Sequence, residues 1–448
     1  MEVPVLSAGE WRKSPMSRRR FTAPTLSAER LKPLEQLLGV AHADQQVDTL
    51  VQLAVRQVGV GGDDVVRRYT AALDGVTLGA FELTAADVAR GAAELEEDDR
   101  QALEQAAERI RAFHRLQLPN ELGAGELRLL PEPLRRTVAY IPGGRACYPS
   151  TVLMNAIPAR LAGVGEVIIT SPPRSDGSLP AAVLYASRLA GVDRVFRLGG
   201  PQAIAAFAYG TESVPAVDKI TGPGNIFVTL AKRAVYGAVG IDGLAGPSEI
   251  LVIADDSADP AQVIADLASQ LEHDPEAWAV LLTTSQRLAK EVAGGLAGDE
   301  LAARFGNQAA ELHAAVVVVP DLAAALSLAE DFAPEHMELL VEDVDAWLPR
   351  VRRAGMVFAG HFSPVPMGDY VAGTNHTLPT GGAARFAMPL GVYDFYRWTA
   401  VVHLGPETAA AIAPVGIRLA QMEGLVAHKR SLERLLQRSQ GASSEVRT

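Results

Sequence analysis

The stretch Thr137-Val138-Ala139-Tyr140-Ile141, followed by Pro142-Gly143-Gly144, decides the fold class. Five mostly apolar residues, stopped by a proline and two glycines, read as a short buried strand. Working outward, residues 150–163 (STVLMNAIPARLAG) read as helix and Glu166-Val167-Ile168-Ile169-Thr170 as strand. Residues 181–189 are then helix, 194–198 strand and 202–209 helix. Strands and helices of this length in strict alternation predict a parallel sheet with helices on its faces. Further strands at 250–254, 280–282, 316–319 and 356–358 supply a second such unit. A border near Gly246-Pro247-Ser248 would separate the two. Upstream, residues 34–116 read as helical, with Leu50, Leu53, Ala54 and Val58 at helical spacing and no evident strand. The region after Leu404 reads as helices alone.

Composition narrows the classes. The chain has 448 residues, 48% hydrophobic and 21% charged, ordinary globular usage. Apolar runs such as 314–320 fall far short of the roughly 20 residues that span a bilayer. The 41 Lys+Arg against 53 Asp+Glu give 41 − 53 = −12, which repels phosphate backbones and argues against general nucleic-acid binding. The single cysteine, Cys147, allows no intramolecular disulfide and suits a reducing cytoplasm. Arg18-Arg19-Arg20 resembles the start of a twin-arginine export signal, but no apolar segment follows. The expectation is a mobile basic arm docking on an acidic neighbour, with Met16 as an alternative start.

Generic motifs do not assign the chain. Gly163-Val164-Gly165 precedes a strand and lacks the third glycine of a dinucleotide loop. No P-loop, H-E-x-x-H or paired C-x-x-C is present. Seven of the nine histidines lie beyond residue 270. Gln270 and His273 sit three apart, nearly one helical turn. Asp369 and His376 flank a Gly/Thr-rich loop. Glu423 and His428 lie five apart, about 140° on an ideal helix, so they face different groups or the helix ends between them. Glu335-His336 follows a proline and precedes a strand. Taken singly, each has a plainer explanation: surface hydrogen bonding for the Gln/His pair, turn formation for Asp and His, an ordinary dipeptide for Glu-His.

Taken in order, the segments are far more specific. They are Tyr140-Ile141-Pro142-Gly143-Gly144, Tyr148-Pro149-Ser150-Thr151-Val152-Leu153-Met154, Gly200-Pro201-Gln202-Ala203-Ile204-Ala205 and Thr221-Gly222-Pro223-Gly224-Asn225. Then come Gly246-Pro247-Ser248-Glu249, Ser269-Gln270-Leu271-Glu272-His273, Ala333-Pro334-Glu335-His336, Gly368-Asp369-Tyr370, Gly373-Thr374-Asn375-His376 and Glu423-Gly424-Leu425-Val426-Ala427-His428. From about Leu34 to the final helix the chain resembles the histidinol dehydrogenases.

The resemblance implies an α/β fold of two incomplete Rossmann-like domains, one discontinuous, plus small helical terminal segments, in a homodimer. It implies oxidation of L-histidinol to L-histidine by two NAD+ through histidinaldehyde, the last step of histidine biosynthesis. It puts Zn2+ on Gln270, His273, Asp369 and His428, the last from the partner subunit, and the acid/base pair on Glu335 and His336. Substrate contacts fall on Ser248, His376 and Glu423 as well as His336 and the ligands; NAD contacts fall on Tyr140, Gln202 and Asn225. The implied division is an arm (1–33), a metal-binding catalytic domain (34–117 plus 250–384), an NAD-binding domain (118–249) and a helical dimerisation segment (385–448).

The chemistry suits these residue types. One amide oxygen, one carboxylate and two imidazoles leave room for a chelating substrate, and Mn2+ or Co2+ fit as well as Zn2+. An imidazole with a pKa near ~6.5 can take an alcohol proton at neutral pH, the role expected of His336. Glu335 would activate the water that adds to the aldehyde. Cys147 is expected to pack rather than form a thiohemiacetal, and Trp398, a departure from the family pattern, to pack locally. The alternatives are a related dehydrogenase for another polar alcohol, a metallohydrolase, and a non-catalytic metal-binding or scaffold protein.

Overall fold

The computed structural model describes residues 3–14, 17, 28–38, 47–143, 147–272, 276–297 and 313–445. The chain begins with β1 (Val5–Ser7), α1 (Ala8–Lys13), α2 (Ala28–Leu38), α3 (Val47–Leu73), β2 (Glu82–Leu83), α4 (Ala85–Ala92) and α5 (Glu97–Arg115). After β3 (Leu122–Ala124) and β4 (Leu127–Pro133) come β5 (Arg136–Tyr140), α6 (Pro149–Leu161), β6 (Glu166–Thr170), α7 (Ala181–Leu189), β7 (Arg194–Phe196) and α8 (Gly200–Tyr209). Then follow β8 (Lys219–Thr221), α9 (Ile226–Val235), β9 (Gly240–Ile241), β10 (Glu249–Ala254), α10 (Pro260–Leu271), β11 (Trp278–Thr283) and α11 (Gln286–Leu296). The last stretch is β12 (His313–Val318), α12 (Leu322–Phe332), β13 (His336–Leu340), α13 (Val344–Trp347), β14 (Met356–Ala359), α14 (Val365–Tyr370), β15 (Tyr396–Val402), α15 (Pro406–Met422) and α16 (Val426–Glu445).

Two units result, one of residues 1–118 and 133–395, the other of 119–132 and 396–448. The first holds two sheets, ordered β2-β7-β6-β5-β8-β9 and β1-β12-β11-β10-β13-β14. In each, five parallel strands run in the order 3-2-1-4-5 of doubly wound folds, with the direction of winding reversing at β5/β8 and at β10/β13. The sequence explains why β10 is central. All six of its residues are buried, with Ile250, Val252 and Ala254 packed into one apolar cluster and Leu251 and Ile253 into another. A strand covered on both faces needs such an unbroken apolar run, each large side chain contributing about 1.5–3 kcal/mol by burial.

Several expectations are corrected. The expected domain joins 34–117 with 250–384, yet β2 pairs antiparallel with β7 and α3 packs on α8 and α9 of the other sheet. Leu50, Ala54 and Val58 share a core with Val138 and Ile168, so the apolar stripe read as helical does bury, but against residues of 138–239. Helix α3 is two helices joined at Gly62, whose φ is 55°. The two-residue β2 is too short to leave a periodic signal. At the N-terminus, β1 extends the second sheet beside β12, and Trp11 is buried against Phe332, their ring centroids 6.1 Å apart. Residues 3–14 are thus structured rather than a loose arm, while Arg18, Arg19 and Arg20 lie outside the described residues.

The second unit is not wholly helical. It contains a three-stranded sheet, β15-β4-β3, and the packed pair α15 and α16. Trp398, expected to pack locally, is 39% exposed on β15. Among the described residues no helix is long and apolar enough to cross a membrane.

Candidate active site

The Glu335-His336 pair is set by how α12 ends. Ala333 adopts a left-handed conformation (φ 53°, ψ 67°), and its N–H donates to the Ala329 carbonyl. Pro334 then forbids further helix, and the chain turns straight into β13. A left-handed conformation costs a non-glycine residue about 1–2 kcal/mol, so this turn is imposed by its surroundings. Close packing continues at Gly355, where a Cβ would sit 2.6 Å from the Glu335 carbonyl oxygen.

Both side chains are buried, and both are held by the start of β10. Glu335 Oε2 accepts the Glu249 N–H at 2.8 Å, while His336 Nδ1 lies 3.0 Å from the Glu249 carbonyl oxygen. A carbonyl can only accept, so Nδ1 carries a proton and a neutral His336 presents a bare Nε2. That Nε2 faces Asp369 Oδ1 at 3.7 Å, and Nδ1 is 3.5 Å from Glu335 Oε2. Burial works against the imidazolium, but Glu335 and then Asp369 outweigh it and push the His336 pKa up to about 10. The two flanking carboxylates thus favour the imidazolium form of His336.

Asp369 comes from α14, which lies close on β14 because residue 368 is glycine: a Cβ there would be 2.6 Å from the Phe358 ring. The Asp369 carbonyl lies 3.2 Å from His376 Nδ1, so that nitrogen donates and Nε2 accepts from the Thr151 hydroxyl at 3.0 Å. Burial lowers the His376 pKa, which keeps the ring neutral. Asn375 Nδ2 donates to the Met154 carbonyl at 2.5 Å, tying this loop to α6. Gln270 is buried on α10, which packs against α14. His273 lies outside the described residues. Ser248 precedes β10, with its carbonyl accepting the Trp278 N–H at 2.9 Å. Glu335, His336, Asp369 and His376 are therefore brought together, with Gln270 on an adjoining helix. Among the described residues no three His, Cys, Asp or Glu side chains form a metal cluster.

Glu423 and His428 belong to the second unit, where both are exposed. Helix α15 stops at Met422, Glu423 caps it, Gly424 turns with φ 72°, and α16 begins at Val426. The helix therefore ends between the two residues, one of the two possibilities left by their spacing.

A second cluster lies at the carboxyl ends of β5, β7 and β8, where doubly wound sheets bind ligands. The Tyr140 hydroxyl accepts the Gly200 N–H at 3.2 Å, and Gln202 Nε2 donates to Asp74 Oδ2 at 3.2 Å. Gln202 Oε1 is buried without a hydrogen-bond partner among the described residues. Asn225 caps α9, its Oδ1 accepting from Phe227 and Val228 N–H at 3.1 and 3.2 Å. The loop before it requires glycine at 222, where φ is 98° and a Cβ would fall 2.1 Å from the Tyr140 carbonyl oxygen. A buried ion pair between Lys232 and Asp242 pins this glycine from both sides: Asp242 Oδ2 accepts its N–H at 2.7 Å, and Lys232 Nζ donates to its carbonyl at 3.0 Å.

Sequence reasoning missed Glu249, Thr151 and Asp74 as site residues. Glu249, the last residue of Gly246-Pro247-Ser248-Glu249, orients both catalytic candidates through its backbone and receives the Gly381 N–H on Oε1 at 2.9 Å. Backbone roles leave no residue-type signal. Cys147 is exposed rather than packed.

A family model described as Histidinol dehydrogenase matches residues 40–435. The chain is 46% identical over 413 residues to the histidinol dehydrogenase of Parasynechococcus marenigrum, covering 90% of this chain and 94% of that protein. With the histidinol dehydrogenase of Methanosarcina mazei it shares 44% identity over 407 residues, covering 89% and 94%. The crystal structure of histidinol dehydrogenase from Elizabethkingia anophelis superimposes with a TM-score of 0.86 at 31% identity, covering 98% of both chains. The chain accordingly belongs to the histidinol dehydrogenase family and is an oxidoreductase.

Proposed function

We propose that this protein oxidises L-histidinol to L-histidine with two NAD+, through histidinaldehyde, as the last step of histidine biosynthesis in the cytoplasm. The observation that carries the reading is the His336 ring: Nδ1 is fixed on the Glu249 carbonyl, and Nε2 is buried and directed at Asp369 beside Glu335. In the first step Nε2 takes the alcohol proton while the carbinol hydride leaves to NAD+, giving the aldehyde. Glu335 then removes a proton from water as its oxygen adds to the aldehyde carbon. The His336 imidazolium returns its proton to the former carbonyl oxygen, giving the gem-diol and a neutral His336, while Glu335 passes its proton to solvent. His336 takes a hydroxyl proton from the diol while the second hydride leaves to a second NAD+, giving the carboxylic acid, which ionises. Each oxidation moves two electrons and one hydride.

His336 must be neutral to act as this base. Its raised pKa depends partly on Asp369, and a cation on that carboxylate weakens the pull and lets burial favour the neutral ring. The donors fit such an ion: Gln270 and Asp369 stand on packed helices and supply oxygens without a thiolate. We assign Gln270, His273, Asp369 and the partner subunit's His428 as zinc ligands. Bound zinc would anchor the substrate's imidazole and amine. Ser248, His376 and Glu423 complete the substrate contacts, with neutral His376 suited to hydrogen bonding rather than charge pairing.

Tyr140, Gln202 and Asn225 would hold NAD+, supported by the unpartnered Gln202 oxygen at the β5/β8 reversal. A homodimer is supported by the exposed stripe Ile412, Val415, Leu419 and Met422 on one face of α15, an apolar surface of the kind that pairs. The test is product identification by mass spectrometry after zinc-loaded protein meets L-histidinol and NAD+. L-histidine is expected; absence of both histidine and histidinaldehyde, with NAD+ shown to bind, would reject the assignment.

A further inference from the structure

Behind the catalytic pair lie two buried carboxyl groups that the mechanism does not use. Asp266 is 3% exposed and Glu338 is fully buried. Glu338 follows His336 by two residues on β13, so both side chains leave the strand on the same face. Its Oε1 accepts the N–H of Val365, the first residue of α14, and that helix carries Asp369 one turn later. Its Oε2 is buried with no hydrogen-bond partner among the described residues, and the Glu338 and Asp266 carboxyl groups are neighbours.

Asp266 belongs to the column Gln262, Asp266, Gln270, spaced four apart along one face of α10. Gln262 Nε2 bridges the two Asp266 oxygens at 3.0 and 2.9 Å. Two bare carboxylates in contact and out of water repel; one proton between them turns the contact into a strong hydrogen bond. Burial, and after it the Asp266 charge, push the Glu338 pKa up to about 8, and burial raises that of Asp266. The pair thus joins α10, one turn before Gln270, to the first turn of α14, one turn before Asp369.

We propose that Asp266 and Glu338 share one proton and act as positioning residues, a clasp that sets the spacing of Gln270 and Asp369 and thereby the affinity for the divalent ion. The inference rests on the reading of Gln270 and Asp369 as metal ligands. Groups that orient metal ligands from behind typically govern affinity by 10–100-fold.

The test measures Zn2+ affinity of the full chain by competition with a chromophoric chelator, together with the visible spectrum of the Co2+-substituted protein. Glu338→Gln keeps both contacts, its amide oxygen accepting from Val365 and its N–H donating to Asp266. It should bind Zn2+ within about threefold of the parent, with an unchanged Co2+ spectrum, whereas Glu338→Leu should lose roughly 10–100-fold and shift the spectrum. If Glu338→Leu does not fold, Asp266→Ala carries the same expectation. Parent-like affinity and spectrum in Glu338→Leu or Asp266→Ala overturn the clasp while leaving the ligands in place. Unchanged Zn2+ affinity in Gln270→Ala overturns the ligand assignment and the clasp with it.

Discussion

Asp74 stands at the end of α3 and holds Gln202, and its replacement by Asn gives a stability change with a defined pH dependence. Burial raises its pKa from the ordinary 3.8 to about 6. The folded state therefore holds this proton more tightly than the unfolded chain, and folding is penalised once the carboxyl ionises. The penalty is absent below the unfolded pKa, grows as pH rises, and levels off above the folded one. A tenfold difference in proton affinity corresponds to about 1.4 kcal/mol, so the full penalty is about 3 kcal/mol. Asp74→Asn removes it and still accepts the Gln202 N–H. The variant should exceed the parent in stability by about 1–2 kcal/mol near pH 5 and about 3 kcal/mol near pH 7.5. Urea unfolding of both proteins at the two pH values measures this. A difference that is constant with pH, or that shrinks as pH rises, would refute the assignment of a half-buried, proton-retaining Asp74.

Three further outcomes follow from the site. Glu335→Gln keeps an acceptor for the Glu249 N–H but cannot activate water, so histidinol should yield one NADH at a near-parental rate; a second, equally fast NADH refutes the division of roles. His336→Gln should lower kcat for histidinol by about 10²–10⁴-fold with a smaller change in KM, as steady-state NADH formation would record. Gly222→Ala meets the Tyr140 carbonyl with its new Cβ at 2.1 Å. It should weaken NAD+ binding in calorimetry and lower stability by at least roughly 1–3 kcal/mol; unaltered binding would detach this loop from the coenzyme.

The sequence made the two sheets legible because buried parallel strands are short apolar runs. The strand read at 166–170 and the helix at 181–189 coincide with β6 and α7. What it hid was the destination of amphipathic helices. The face of α3 that holds Leu50, Ala54 and Val58 says that it buries, not against which sheet, and it lies against the core around Val138. The β3–β4 hairpin and β15 escaped notice because their faces are largely exposed and carry no run of buried residues. Within the site, Glu335, His336, Asp369 and His376 were legible through family motifs, since their side chains carry the chemistry. Glu249 was not, because it acts through its N–H and carbonyl. Asp266 and Glu338 were not, because two carboxyls 72 residues apart in sequence meet only once α10 packs over β10, the strand beside β13.

The central claim is that one site performs two successive oxidations, with His336 as base and Glu335 as water activator. Its most direct test is NADH absorbance at about 340 nm from zinc-loaded protein given limiting L-histidinol and excess NAD+. Two NADH per histidinol are expected. One NADH would mean that chemistry stops at the aldehyde, contradicting the role given to Glu335, and none, with zinc and NAD+ bound, would contradict histidinol as the substrate.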